Sequence, residues 1–173
     1  MNAVVKQIFD RRSWRAYEAK QVTDEELETV LECGAWAPSA MNQQSWHLTA
    51  LQNPQLVSEL AELCRVYRKI ETNPFYDAPT IIVVTAKADA IAPQKDASLA
   101  MENMMLAADS LGLGSCWINC VNGLFATEEG KAFFEKIGVP ADNVMVGSLA
   151  LGYPKGEKPA PKDRLDGNID IIK

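Results

Sequence analysis

Residues 97–121 read ASLAMENMMLAADSLGLGSCWINCV, and this stretch decides the architecture. Ala97, Ala100, Met101, Met104, Ala108 and Leu111 recur at helical spacing, so the segment 97–111 is a helix with an apolar face. Gly112 sits where such a helix stops, because glycine adopts the left-handed conformation after the last turn without strain. Ser115–Val121 then reads as a strand. A helix running straight into a strand belongs to a layered fold rather than to a helix bundle or a barrel.

The pattern extends outward in both directions. Downstream, Thr127–Ile137 is a short helix and Val144–Leu151 a last core strand. Upstream, Thr80–Ala86 is continuously apolar and β-branched, as a central strand covered on both faces must be. Asn53-Pro54 is a cap followed by a first-turn proline, opening a helix with Leu56, Leu60, Leu63 and Tyr67 on one side. Trp46–Leu51 is a strand. Thr23 and Glu26 form a capping box for a helix that turns Leu27, Val30, Leu31 and Ala35 inward and ends before Pro38. Within residues 2–12, Val4, Val5, Ile8 and Phe9 share one helical stripe. Helices and strands interleave, giving an α/β or α+β layer sandwich. The tail from Pro154 to Pro161 mixes proline, lysine and glycine and stays outside the core, while Ile169–Ile172 has the composition to add a short strand.

With 173 residues, 47% of them hydrophobic, the chain suits one domain spanning 1–173. Its net charge of −6 argues against nucleic-acid binding, which needs a basic face, yet leaves room for a small anion held by a few arginines. Cys33, Cys64, Cys116 and Cys120 form no C-x-x-C pair, and with His47 as the sole histidine a zinc site lacks partners. They read as buried, reduced thiols. No apolar signal core opens the chain, and the run around Ile81–Val84 is far too short to span a bilayer. A cytoplasmic location and no membrane partner are the expectation.

Two features carry chemistry. Arg11, Arg12 and Arg15 surround Ser13, supplying guanidinium forks and a neutral hydroxyl donor of the kind a phosphate monoester requires. Lys162 and Arg164 alternate, so in an extended chain both point the same way. Two basic clusters in an acidic protein invite a shared anion. The second feature is the loop Ala37–Gln44, whose Ser39 hydroxyl, Asn42 amide and backbone groups are suited to a polar ligand. Neither G-x-G-x-x-G after a strand nor a P-loop is present, and Gly112-Leu113-Gly114-Ser115 lies in the wrong order, after a helix and before a strand. Ser39 and Ser115 have no triad to join. Asp96 reads as the cap of the long helix, and Met101, Met104 and Met105 as core filling.

Taken in order, Arg11-Arg12-Ser13-Trp14-Arg15-Ala16-Tyr17, Ala37–Asn42 with Gln44 and Trp46, Asp96-Ala97, Asn103–Ala108, Leu111–Trp117 and Lys162-x-Arg164 resemble the FMN-dependent nitroreductases. The resemblance runs from about residue 8 to residue 164. It implies an α+β three-layer sandwich, with a central mostly antiparallel sheet flanked by helices, in an intertwined homodimer with FMN at each subunit interface. Carried over by position, Arg11, Ser13, Lys162 and Arg164 would hold the FMN phosphate, with Arg12 beside them. Arg15 would lie near the pyrimidine edge of the ring, where reduction builds negative charge. Pro38, Ser39 and Asn42 would approach from the partner subunit, and Ile118 and Asn119 would present backbone groups to the ring. NADH or NADPH would deliver electrons, and a small electron-poor acceptor such as a nitroaromatic or quinone would take them in turn, with no catalytic side chain. Reductive dehalogenation, flavin degradation or flavin binding without turnover remain open on the same fold.

Overall fold

The computed structural model describes residues 1–173. The chain runs α1 (Ala3–Asp10), α2 (Asp24–Ala35), a 3-10 turn (Ala40–Asn42), β1 (Trp46–Leu51), α3 (Pro54–Arg68), β2 (Thr80–Lys87), α4 (Pro93–Ser110), β3 (Gly114–Ile118), α5 (Cys120–Leu124), α6 (Glu128–Lys136) and β4 (Asn143–Gly152). Local chemistry sets several of these boundaries. The Thr23 hydroxyl accepts from the Glu26 N–H at 3.2 Å while the Glu26 carboxylate accepts from the Thr23 N–H at 2.9 Å, closing the capping box. The Asn53 side chain accepts from the N–H groups of Gln55 and Leu56 at the start of α3. Gly112 ends the α4 turn at φ +76°, a value that costs glycine nothing.

The four strands form one sheet in the order β1-β2-β4-β3, and every pairing is antiparallel. β2 is buried from Thr80 to Ala86 and feeds two cores. Ile81 and Val83 pack with Leu60, Cys64, Phe75, Phe133 and Phe134 on one face. Ile82, Val84 and Ala86 pack with Val30, Met101, Met104 and Met105 on the other. Helices α3, α5 and α6 therefore cover one side and α2 and α4 the opposite side, giving three layers. A bulge leaves Val146 of β4 unpaired between Val84 and Thr85 of β2, so the alternation along β4 switches faces there. At Gly34 an added Cβ would lie 2.7 Å from the Met104 side chain, so a residue without one lets α2 settle on α4. No helix is long and apolar enough to cross a membrane.

Three expectations are corrected. The strand expected to reach Val121 stops at Ile118, because Asn119 turns to φ −98°, ψ −2° and Cys120 begins α5. The long helix begins at Pro93, and its cap position is Ala92, so Asp96 lies inside the first turn and caps nothing. Ile169–Ile172 adds no strand within the chain, and its isoleucines are exposed. The α1 stripe stands as read, on one side of a helix that ends at Asp10, and in the single chain Val4, Ile8 and Phe9 face solvent at 67%, 54% and 63% exposure.

Candidate functional site

The segment after α1 is stitched to the sheet. Ser13 bridges Ser115 of β3, and the Trp14 N–H donates to the Ser115 carbonyl at 3.0 Å. The Tyr17 hydroxyl donates to the Trp14 carbonyl at 2.9 Å, and burial pushes that phenol far above its ordinary range. Beyond β4 the chain returns along the same segment, with Glu18 N–H on Tyr153 O and Lys155 N–H on Ala16 O. Lys158 then reaches Asp109 of α4 at 3.2 Å. This path carries the tail back to the end of α1.

There the two basic clusters meet. Arg11, Arg12, Ser13, Arg15, Lys162 and Arg164 line one cavity of about 190 Å³, closed by Pro159–Pro161. Arg12 is partly committed, since its guanidinium donates to the carbonyls of Phe9 and Arg11 at 2.7 and 2.8 Å and so finishes α1. Arg11 Nε lies 3.5 Å from the Glu102 carboxylate without the alignment of a hydrogen bond, and the buried Nε atoms of Arg11 and Arg12 have no partner. Lys162 and Arg164 form no ion pair. Five like charges around one small cavity repel one another, and an anion is what relieves them. Behind the cavity, burial raises the Cys116 thiol while Arg15, Arg11 and Ser13 pull it the other way.

A second cavity of about 270 Å³ lies at the end of β3, lined by Trp117, Ile118, Asn119 and Cys120 together with Arg68, Asn73 and Tyr76. Arg15 belongs to the first cavity and reaches toward the second, its guanidinium carbon 5.9 Å from the Tyr76 ring centroid. Arg68 and Tyr76 escaped the sequence reading, because no periodicity marks them. Tyr76 is set by a turn in which Asn73 accepts from the Phe75 N–H and donates to Asp77, leaving Tyr76 and Asp77 at φ +56° and +60°.

Pro38, Ser39 and Asn42 line neither cavity. They stand in a loop with Met41, Asn42 and Gln44 at positive φ, and Pro38 and Asn42 are exposed. The Ser39 hydroxyl accepts from the Gln44 N–H at 3.0 Å, and Gln44 donates to the Asn42 side chain at 2.9 Å. The loop is tied down by Asp96, buried on α4, whose carboxylate accepts from the Ala40 N–H at 3.0 Å. Asp96→Ala is expected to cost about 1.5–3 kcal/mol, the contribution of a hydrogen bond to a charged group. The Ala40 amide should exchange faster in the variant; unchanged protection would show that the loop needs no such anchor.

The nitroreductase family profile matches residues 8–66 and 65–153. A crystal structure described as a nitroreductase with bound FMN from Bacteroides fragilis superposes with a TM-score of 0.93 at 34% identity, each chain covered over 100% of its length. A relative from Archaeoglobus fulgidus, provisionally named NADH dehydrogenase/NAD(P)H nitroreductase, is 33% identical over 91% of this chain and 89% of its own. An FMN reductase (NAD(P)H) from Bacillus subtilis is 26% identical over 95% of this chain and 71% of its own. With the motifs in order, the three layers in place and both measures of likeness agreeing, the chain belongs to the nitroreductase family.

Proposed function

We propose that this chain, working as one domain over residues 1–173, is an FMN-dependent oxidoreductase that passes electrons from NADH or NADPH to a small electron-poor acceptor such as a nitroaromatic or quinone. The observation that carries this reading is the cavity that joins Arg11, Arg12, Ser13 and Arg15 to Lys162 and Arg164. Lys162 and Arg164, free of ion pairs, together with Arg11, which is only loosely held by Glu102, and a serine hydroxyl suit a phosphate monoester, so Arg11, Ser13, Lys162 and Arg164 would hold the FMN phosphate. Arg12 braces the same wall from its seat on the α1 carbonyls. The ring would then extend toward the second cavity, where Ile118 and Asn119 end β3 and Arg15 supplies positive charge. Bound FMN supplies the hydride and electron chemistry, which is why no nucleophile or acid–base pair is required.

The reading includes a homodimer. Pro38, Ser39 and Asn42 stand outside their own chain's cavities, so they would serve the flavin of a partner subunit. The exposed stripe of α1 borders an apolar groove of about 470 Å³ that includes Val4, Trp36 and Leu106, and Trp36 is 80% exposed. β1 also has an open outer edge, to which Ile169–Ile172 of a partner would add the strand it does not form at home. A second subunit accounts for all three. The cytoplasm, where pyridine nucleotides and reduced thiols are kept, is the location that goes with this activity.

The protein is expected to purify yellow, as a dimer by sedimentation, with FMN on each chain. Anaerobic NAD(P)H should bleach it, and a nitroaromatic or quinone should restore the colour. A monomer that takes up no FMN would overturn the reading. A second outcome concerns Arg15. Arg15→Gln keeps length and donors but removes the charge that favours the reduced ring. A loss of about 1.4 kcal/mol corresponds to roughly 30 mV for a two-electron couple, so the flavin midpoint should fall by that order. Spectroelectrochemical titration beside a binding curve decides it: an unchanged potential with strongly weakened FMN binding would move Arg15 to the phosphate.

A further inference from the structure

One carboxylate holds both walls of the cationic cavity. Asp109, in the last turn of α4, keeps only 10% of its side chain exposed. The Gln7 side-chain amide, on α1 one turn before Arg11, donates to its Oδ2. The Lys158 ammonium, on the tail just before Pro159–Pro161, donates to Oδ1 at 3.2 Å and to Oδ2 at 3.4 Å. Past the Lys155 N–H, no other hydrogen bond or ion pair ties the tail to the body of the chain. The tail from Lys155 onward is exposed throughout, so no buried apolar contact holds it instead. Nor does α4 need the carboxylate, since a negative charge at a helix C-terminus opposes the helix dipole. Pro159-Ala160-Pro161 follows Lys158 at once, and the same three residues close the cavity. Two prolines with fixed φ make this stretch a stiff spacer, so the place of Lys158 sets the place of Lys162.

We propose that Asp109 is a positioning residue for the anion site: through Lys158 it seats the tail so that Lys162 and Arg164 face Arg11, Ser13 and Arg15. The role rests on the reading of that cavity as the FMN phosphate site, and it makes Asp109 a determinant of the preference for FMN over riboflavin. The sign of the effect separates seating from plain electrostatics. A carboxylate near an anion site repels the anion, so by charge alone its removal tightens phosphate binding. A carboxylate that seats two cations does the reverse, and its removal weakens binding. Seating dominates here, because the Asp109 charge is already paired with Lys158 while Lys162 and Arg164 have no other support.

The test is titration of Asp109→Ala apoprotein with FMN and with riboflavin, beside timed trypsin cleavage of the purified variant at the Arg164–Leu165 bond. Alanine is the best helix former, so α4 is kept. FMN should bind about tenfold more weakly than to wild type, the loss expected when the two cations are no longer aimed at the phosphate, while riboflavin changes less than about twofold. Cleavage should be at least about threefold faster, because proteolysis follows the share of open tail. Lys158→Met should reproduce both changes. Lys155→Met removes the same charge from the same tail at a lysine without an ion pair, and it should alter neither. Asp109→Ala combined with Lys158→Met should weaken FMN no further than either alone, since both break one pair. Unchanged or tighter FMN binding by Asp109→Ala would overturn the proposal. So would an equal loss of both flavins, or cleavage at the wild-type rate. Lys158 is 45% exposed, so Lys158→Met beside Lys155→Met decides the matter even if Asp109→Ala does not fold. Wild-type protein that binds both flavins equally would sink the phosphate reading itself, and with it the discrimination assigned to Asp109.

Discussion

FMN is expected to bind at least about 100-fold more tightly than riboflavin, which lacks only the phosphate. A hydrogen bond to a charged group contributes about 1.5–3 kcal/mol, so two that survive solvent screening exceed the 2.8 kcal/mol or so that 100-fold requires. The cavity holds more than two candidates, but Lys162 and Arg164 are exposed, so each is discounted. Lys162→Ala and Arg164→Ala should each weaken FMN by about tenfold and leave riboflavin untouched. The preference should also shrink at high salt, because exposed charges are screened within a Debye length of about 10 Å at 0.1 M. Isothermal titration of the apoprotein with both flavins measures it. Equal affinities at matched salt would mean that the converging arginines and lysine serve another anion.

Phe134→Ala should be the most damaging single truncation for stability, at about 3–5 kcal/mol. Phe134 is 1% exposed, with ring centroids 5.3 Å from Phe125 and 5.5 Å from Phe133, the latter pair edge-on. Its carbonyl also receives the Val139 N–H at 2.9 Å, so the turn after α6 cannot slide to fill the hole. For a chain of this length each kcal/mol is worth about 2–4 °C, so melting should fall by about 10 °C. The neighbouring Lys136→Ala removes only an exposed pair with Glu59 and should cost less than about 1 kcal/mol. Calorimetry of the two variants separates the cases; a Phe134→Ala loss as small as that of Lys136→Ala would mean that this side of the sheet is not tightly packed.

What was legible in the sequence depended on the range of the interactions involved. The apolar spacing of α4, the buried run of β2 and the capping box at Thr23 are local patterns, and each element is present, with α4 starting earlier than its apolar spacing marked, at Pro93. Val121 misled because β-branched character resembles a strand, while the turn at Asn119 that starts α5 is settled by packing against α3 and β4. Asp96 misled for the same reason. An aspartate near a helix start looks like a cap, yet its partner is the Ala40 N–H, 56 residues away. The Arg11–Arg15 and Lys162–Arg164 clusters were legible as clusters and through the family resemblance. Their meeting follows from the Ser13–Ser115 and Tyr17–Pro154 bridges, which no spacing reveals. Arg68 and Tyr76 left no trace, since their position depends on how α3 ends and on one turn held by Asn73.

The strand order has a consequence during translation. β4, the last strand made, lies between β2 and β3 and supplies the inner edge of both. Until it emerges from the ribosome, β2 is paired only with β1 and presents an open apolar edge. At about 5–20 residues per second, the interval from the end of β2 to the end of β4 lasts on the order of several seconds. Nascent chains of this protein therefore pass through a sticky, half-sheeted stage that the finished protein never revisits.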